Sequence, residues 1–220
     1  MQISERPLYR VQSGCAQHSC GNAQLCGDSW ECFTDGNGRQ IAIISDGMGT
    51  GGRAAVDGAM ASGILSRLIK AGIGFDAALK IVNSALLVKS GDESLATIDL
   101  AALDLYSGNV EFMKAGAPIS LLRKSGRTVV IDAPSLPIGI LNDINFTKSS
   151  DSLSDGDLLI LVSDGALAAG DDWLSDTIET WSGQVPQELA EEIVTQAIAR
   201  RGDGHDDDIT VVAMKIKENE

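Results

Sequence analysis

Apolar residues recur along the chain with two different periods. Short β-rich runs at 8–12, 30–34 and 40–45 predict strands, the last two joined by the turn Asp35-Gly36-Asn37-Gly38. Residues 53–71 predict a long helix. Phe75, Leu79, Val82 and Leu86 predict a second one, with Gly72 and Gly74 at the joint. From 97 to 132 the period returns to that of strands. There Ser107-Gly108 and Ser125-Gly126 mark hairpin turns, so an antiparallel meander is expected. Residues 158–162 form a continuous apolar run suited to a central strand. Asp171 and Asp172 precede a short helix carrying Trp173, Ile178 and Trp181. Pro186 opens a last helix with an expected buried stripe of Leu189, Ile193, Val194, Ala197 and Ile198. Arg200 and Arg201 suit its end, and Gly202 is expected to stop it. Residues 209–216 read as a final strand. Many antiparallel strands with paired helices imply an α+β fold. The expected form is a four-layer α/β/β/α sandwich, two antiparallel sheets flanked by helices, as a single domain over 1–220.

Composition narrows the core and the partners. Hydrophobic residues make up 44% of the 220 and aromatics only 4%, so the interior has to be built from Leu, Ile, Val and Ala. Seventeen basic residues against 31 acidic ones give a net charge of −14, a field that repels nucleic acid and anionic membrane. No apolar run approaches a membrane span. A cytoplasmic domain is expected, either alone or as the soluble part of a larger membrane-anchored protein. Cys15, Cys20, Cys26 and Cys32 lie close together in sequence with His18 among them, but form no C-x-x-C pair. Reduced cysteines acting as small hydrophobes are expected instead.

The candidate chemistry lies where apolar strands end in acids. Residues 41–45 run into Asp46-Gly47, and residues 158–163 run into Asp164-Gly165. Asp206, Asp207 and Asp208 stand just before the last strand, and Gly27-Asp28-Ser29 precedes the strand at Trp30. Each Asp-Gly alone would make an ordinary turn, and a run of acids can be a solvated turn. If the ends converge, carboxylates about 4 Å apart repel by about 4 kcal/mol at an effective dielectric near 20. Such crowding requires bound cations or raised pKa values. All-oxygen ligands suit Mg²⁺, Mn²⁺ or Ca²⁺, and two ions sharing a carboxylate lower the pKa of a bridging water. Gly47 to Gly52 also satisfies G-x-G-x-x-G between a strand and a helix. Asp46 beside a pyrophosphate, and the missing ribose-binding acid further on, leave dinucleotide binding a minor alternative.

Asp28 in Gly-Asp-Ser, Asp46-Gly47-Met48-Gly49, Ser163-Asp164-Gly165 and Asp207-Asp208-Ile209-Thr210 resemble the ordered motifs of the PPM (protein phosphatase 2C-like) family. Leu136-Pro137-Ile138-Gly139 and Thr97-Ile98-Asp99-Leu100 extend the resemblance over nearly the whole chain. The resemblance implies a metal-dependent protein serine/threonine phosphatase using two Mn²⁺ or Mg²⁺ ions. By it, Asp46 bridges both ions and Gly47 offers its carbonyl. Asp164 and Asp207 ligate the first ion, and Asp28 supports the other through water. Asp46, Asp164 and Asp207 are thus the candidate catalytic residues, and Asp208 is either a turn acid or a supporting one. Two departures from many eukaryotic members stand out. Met48 occupies the place of their histidine, and Ala23, Gln24 and Leu25 stand where an arginine would hold phosphate. Bacterial regulatory phosphatases of the sporulation type share both. They imply an anti-sigma-factor antagonist as the phosphorylated protein substrate, with a homodimer as a further partner. General acid and phosphate anchor stay unassigned, and His18 and His205 read as surface or structural residues. The rival reading is a non-enzymatic acidic domain that binds Ca²⁺. Finally, the small residues of 53–71 either let that helix pack closely or leave it weakly held beside the Asp46 loop.

Overall fold

Strands that are apolar on both faces need a layer on each side, and residues 41–44 and 158–162 are of this kind. The structure, a computed structural model, describes residues 6–20, 25–49, 52–89, 94–142, 144, 146–202 and 207–219. Its elements run β1 (Tyr9–His18), β2 (Asp28–Thr34), β3 (Arg39–Asp46), α1 (Gly52–Lys70), α2 (Phe75–Lys89), β4 (Ile98–Asp104), β5 (Asn109–Ala115), β6 (Ser120–Lys124), β7 (Arg127–Ile131), β8 (Thr147–Ser152), β9 (Leu158–Val162), α3 (Asp172–Thr180), α4 (Pro186–Arg200) and β10 (Ile209–Glu218). One sheet has the order β1-β10-β9-β6-β7 and the other β2-β3-β4-β5-β8. Every pairing between these strands is antiparallel.

Alternation along the strands sorts side chains into three apolar layers. Ala42, Ile44, Ala101, Phe112, Leu161 and Val212 meet between the sheets. Ile41, Ile43, Leu100 and Met113 face the opposite way, onto α1 and α2. Leu158, Ile160, Val162 and Val211 pack on α3 and α4. This is the expected α/β/β/α sandwich.

Several local expectations change. The predicted meander is two hairpins in different sheets, because the chain crosses between sheets after β5. Ser125-Gly126 does make the tight turn of the second, with φ of 49° and 83°. Strand β8 was not foreseen. Its sequence, Thr-Lys-Ser-Ser-Asp-Ser, is polar throughout because it closes an edge of its sheet against β5. Ile198 lies 39% exposed, outside the buried stripe of α4. That helix ends at Arg200 with Arg201 extended, so Gly202 does not form the stop. The antiparallel neighbours of β3 also exclude a dinucleotide-type parallel sheet there. Thr50 and Gly51 of that glycine motif lie outside the described residues.

The small residues of α1 serve close approach. A Cβ on Gly58 would stand 2.6 Å from the Gly27 carbonyl oxygen and 3.1 Å from both the Gly47 nitrogen and the Ser45 oxygen. Asp57, buried on the same helix, receives Lys89 from the last turn of α2 at 2.5 Å. The helix pair is therefore fastened to the Asp46 loop and clasped to itself.

Candidate metal centre

Along the layer between the sheets, side chains are apolar until one end, where they turn polar together. On β3 the inward series is Ala42, Ile44, Asp46, and on β9 it is Leu159, Leu161, Ser163. On β4 the series Leu103, Ala101 ends in Asp99, and on β10 Met214, Val212 ends in Thr210. Strand alternation thus delivers acids and hydroxyls from both sheets to one rim.

Register and hydrogen bonds fix their positions. Asp28 lies directly opposite Asp46 across the β2–β3 pair. The Asp46 N–H donates to Thr97 Oγ1 at 3.0 Å, and Thr97 N–H returns to the Asp46 carbonyl at 2.8 Å. Gly47 N–H donates to the Gly27 carbonyl, and a Cβ on Gly47 would stand only 1.9 Å from the Ala54 oxygen. Glycine is thus required for α1 to meet this loop. The other sheet supplies Ser163, whose N–H donates to the Thr210 carbonyl and whose Oγ accepts the Thr210 N–H. The hydroxyls of Ser163 and Thr210, from the other sheet, stand near Asp28 and favour its charged form.

Crowding raises the acids. Burial, followed by the charges of Asp28, Asp164, Asp207 and Asp208, pushes Asp46 up to about 8. Burial also lifts Asp28 to about 6, against the lowering effect of its hydroxyl partners. Asp164 reaches solvent, yet partial burial and the neighbouring Asp207 raise it as well. Asp28 Oδ2 is buried without a hydrogen-bond donor among the described residues. Repelling carboxylates, an orphaned carboxylate oxygen and an all-oxygen donor set fit a hard divalent cation. No three acid, histidine or cysteine side chains among the described residues are yet grouped tightly enough to enclose an ion.

The structure thus brings Asp28, Asp46, Gly47, Asp164 and Asp207 to one rim. Asp208 differs from a solvated turn acid: its carboxylate accepts the N–H groups of Cys20 and Gly27, clasping the loop before β10 to the one before β2. His18 ends β1 opposite Ile209, and Met48 is exposed. Ala23, Gln24, His205 and Asp206 lie outside the described residues. The sequence reading assigned no role to Thr97, Asp99, Lys114, Ser120, Ser163 or Thr210. A charge inside an apolar strand, as at Asp99 and Lys114, was the available signal. A cavity of about 130 Å³ opens at the rim between Asp46, Thr97, Asp99, Ser163 and Asp164. A larger groove of about 370 Å³, between Phe75 and β8, includes none of these acids.

Two stacked antiparallel sheets with helices outside and acids at one rim are the architecture of PP2C-type phosphatase domains. More narrowly, the chain belongs to the family described as stage II sporulation protein E (SpoIIE), whose family model matches residues 36–217. Stage II sporulation protein E of Bacillus subtilis (strain 168) is 33% identical over 217 residues, covering 96% of this chain and 26% of that protein. The chain therefore spans about a quarter of that relative's length. The solved structure of the PP2C phosphatase domain and a regulatory-domain fragment of SpoIIE from Bacillus subtilis superposes with a TM-score of 0.88 at 32% identity. That match covers 98% of this chain and 65% of the other. The phosphoserine phosphatase RsbP of Bacillus subtilis (strain 168) is 25% identical over 218 residues, 96% of this chain and 54% of that protein.

Proposed function

We propose that this domain hydrolyses phosphoserine or phosphothreonine on a protein by a metal-dependent route, without a covalent enzyme intermediate. The observation that carries the reading is the pairing of Asp28 with Asp46 at a rim shared with Asp164 and Asp207. Asp46 and the Gly47 carbonyl would hold two Mn²⁺ or Mg²⁺ ions. Asp164 and Asp207 would hold them with Asp46, and Asp28 would stand in support. When bound, the ions supply an activated water for in-line attack on phosphorus and neutralise charge on the phosphoryl oxygens.

The chain's own residues shape the rest. Thr97 holds the Asp46 backbone, and the close contact of Gly47 with α1 sets how far that loop extends toward substrate. Cys15 and Cys26 offer no competing nucleophile of the activated kind. Burial and neighbouring thiols push Cys15 up to about 12, and burial with Asp28 nearby lifts Cys26 to about 11. A phosphorylated anti-sigma-factor antagonist is the substrate class that the SpoIIE relationship favours, with a homodimer as the assembly to test. Hydrolysis of para-nitrophenyl phosphate with Mn²⁺, compared with Ca²⁺, tests the reading. Turnover with Mn²⁺ supports it. Tight Ca²⁺ binding without turnover under any divalent ion would replace it with a calcium-binding domain.

A further inference from the structure

Behind the rim, one charged pair is sealed between the sheets. Asp99 on β4 and Lys114 on β5 are cross-strand partners, 1% and 0% exposed. The Lys114 ammonium has three donors and uses all of them: on Asp99 Oδ2 at 2.7 Å, the Pro118 carbonyl at 2.7 Å and Ser120 Oγ at 2.6 Å. The Ser120 hydroxyl, from the opposite sheet, donates to the same Asp99 Oδ2 at 2.7 Å. Lys114 is therefore committed to its neighbours and has no donor left for a phosphate.

The other oxygen behaves differently. Asp99 Oδ1 is buried and receives no donor among the described residues. Asp99 lines the cavity of about 130 Å³ that also holds Asp46 and Asp164. It sits opposite Ile44, two residues before Asp46 on β3. Were the network only a staple between sheets, apolar side chains would serve as well and leave no carboxylate oxygen unsatisfied. A carboxylate with one oxygen anchored and the other turned into a cation site is instead the arrangement that orients a ligand from behind.

We propose that Asp99 is a positioning residue: its Oδ1 accepts a hydrogen bond from the hydration shell of a cation held by Asp46 and Asp164, while Lys114 and Ser120 fix its orientation and balance its charge. The inference rests on the metal reading of those two aspartates. It also gives Lys114 its purpose, since an uncompensated Asp99 would add to the repulsion already present at the rim.

Asp99→Asn tests this with a defined polarity. Lys114 and Ser120 both donate toward the Oδ2 position, so the amide oxygen takes that place. The NH₂ group then presents donors to the cavity where an acceptor stood. Mn²⁺ titration calorimetry is the readout, on protein whose fold is verified by circular dichroism. Asp99→Asn is expected to weaken Mn²⁺ affinity by about 10–100-fold. The KM for para-nitrophenyl phosphate at saturating Mn²⁺ should be unchanged. Asp157→Ala, which removes a buried acid at the far end of β9, should lower the melting temperature without moving that affinity. Wild-type Mn²⁺ affinity in folded Asp99→Asn overturns the proposal. Should that variant fail to fold, the double variant Asp99→Asn, Lys114→Met removes charge and counter-charge together. The same weakening is expected of it, and unchanged affinity again overturns the proposal. Asp46→Asn separates the two levels. Undiminished Mn²⁺ binding there sinks the metal reading itself, whereas loss there with retention in Asp99→Asn sinks only the role of Asp99.

Discussion

Asp28 and Asp46 face one another directly across β2 and β3, two like charges at a position where antiparallel register brings side chains closest. No strand pair gains stability from that arrangement alone. The domain has accepted a local penalty at this rim, and removing or neutralising either acid should reveal its size.

Asp46→Asn is expected to abolish turnover yet stabilise the metal-free protein. The carboxyl titrates near 3.8 when unperturbed and about 8 when folded. Between those values the folded chain holds a proton that the unfolded chain has released, so stability in chelator falls as pH rises through this window. Thermal melts in EDTA should show the wild type losing stability between about pH 4 and about pH 8. The Asn variant should be flatter over that range and melt about 2–4 °C higher at neutral pH. A variant that melts lower than wild type in EDTA would show that charge crowding does not govern the apo site.

Gly58→Ala should destabilise despite the better helix propensity of alanine. The new Cβ would meet the Gly27 carbonyl at 2.6 Å and the Gly47 nitrogen at 3.1 Å, both backbone atoms of the rim loops. Urea unfolding should show a loss of about 1–3 kcal/mol, the usual range for overpacking, with activity falling as the loop is displaced. A gain near 1 kcal/mol, the bare propensity difference, would mean that α1 can move away freely.

Truncating Lys89 to alanine leaves Asp57 buried without its ammonium partner. A cost of about 1–3 kcal/mol is expected in chemical denaturation. Asp57→Asn in the same background should recover part of it. Equal stability of the two backgrounds would show that the clasp between α1 and α2 contributes nothing.

Replacing Cys15, Cys20, Cys26 and Cys32 together by alanine should preserve Mn²⁺-dependent turnover. Burial holds Cys15 and Cys26 as thiols at neutral pH, so neither is poised to attack phosphorus. Mass spectrometry of the wild type during turnover should find no phosphorylated side chain, and a trapped phosphocysteine would contradict the direct route.

That Asp46, Asp164 and Asp207 share a rim was legible in the sequence because Asp46 and Asp164 stand where an apolar strand stops and Asp207 just before one starts, a one-dimensional signal. Asp99 and Lys114 were not, since their relation exists only in the β4–β5 register and in the arrival of Ser120 from the opposite sheet. The same limit explains the hairpins. Turn residues at Ser107-Gly108 and Ser125-Gly126 specify local reversals, but nothing in them says that the chain changes sheets in between. Strand β8 escaped because a polar edge strand carries no hydrophobic period. The buried stripe of α4 was read one residue too far, since Ile198 falls just beyond the face that meets β10.

Strand β10, the last described in chain order, is laid between β1 and β9, one strand in from the edge of its sheet. Until it is in place, β1 has no partner in that sheet, and Asp28 lacks the Thr210 hydroxyl beside it. During synthesis Asp28 and Asp46 must therefore wait for a strand made more than 160 residues later. A growing chain can bury α1 and α2 on the sheet of β2 to β5 early, but the rim has its Thr210 side only once β10 is laid between β1 and β9.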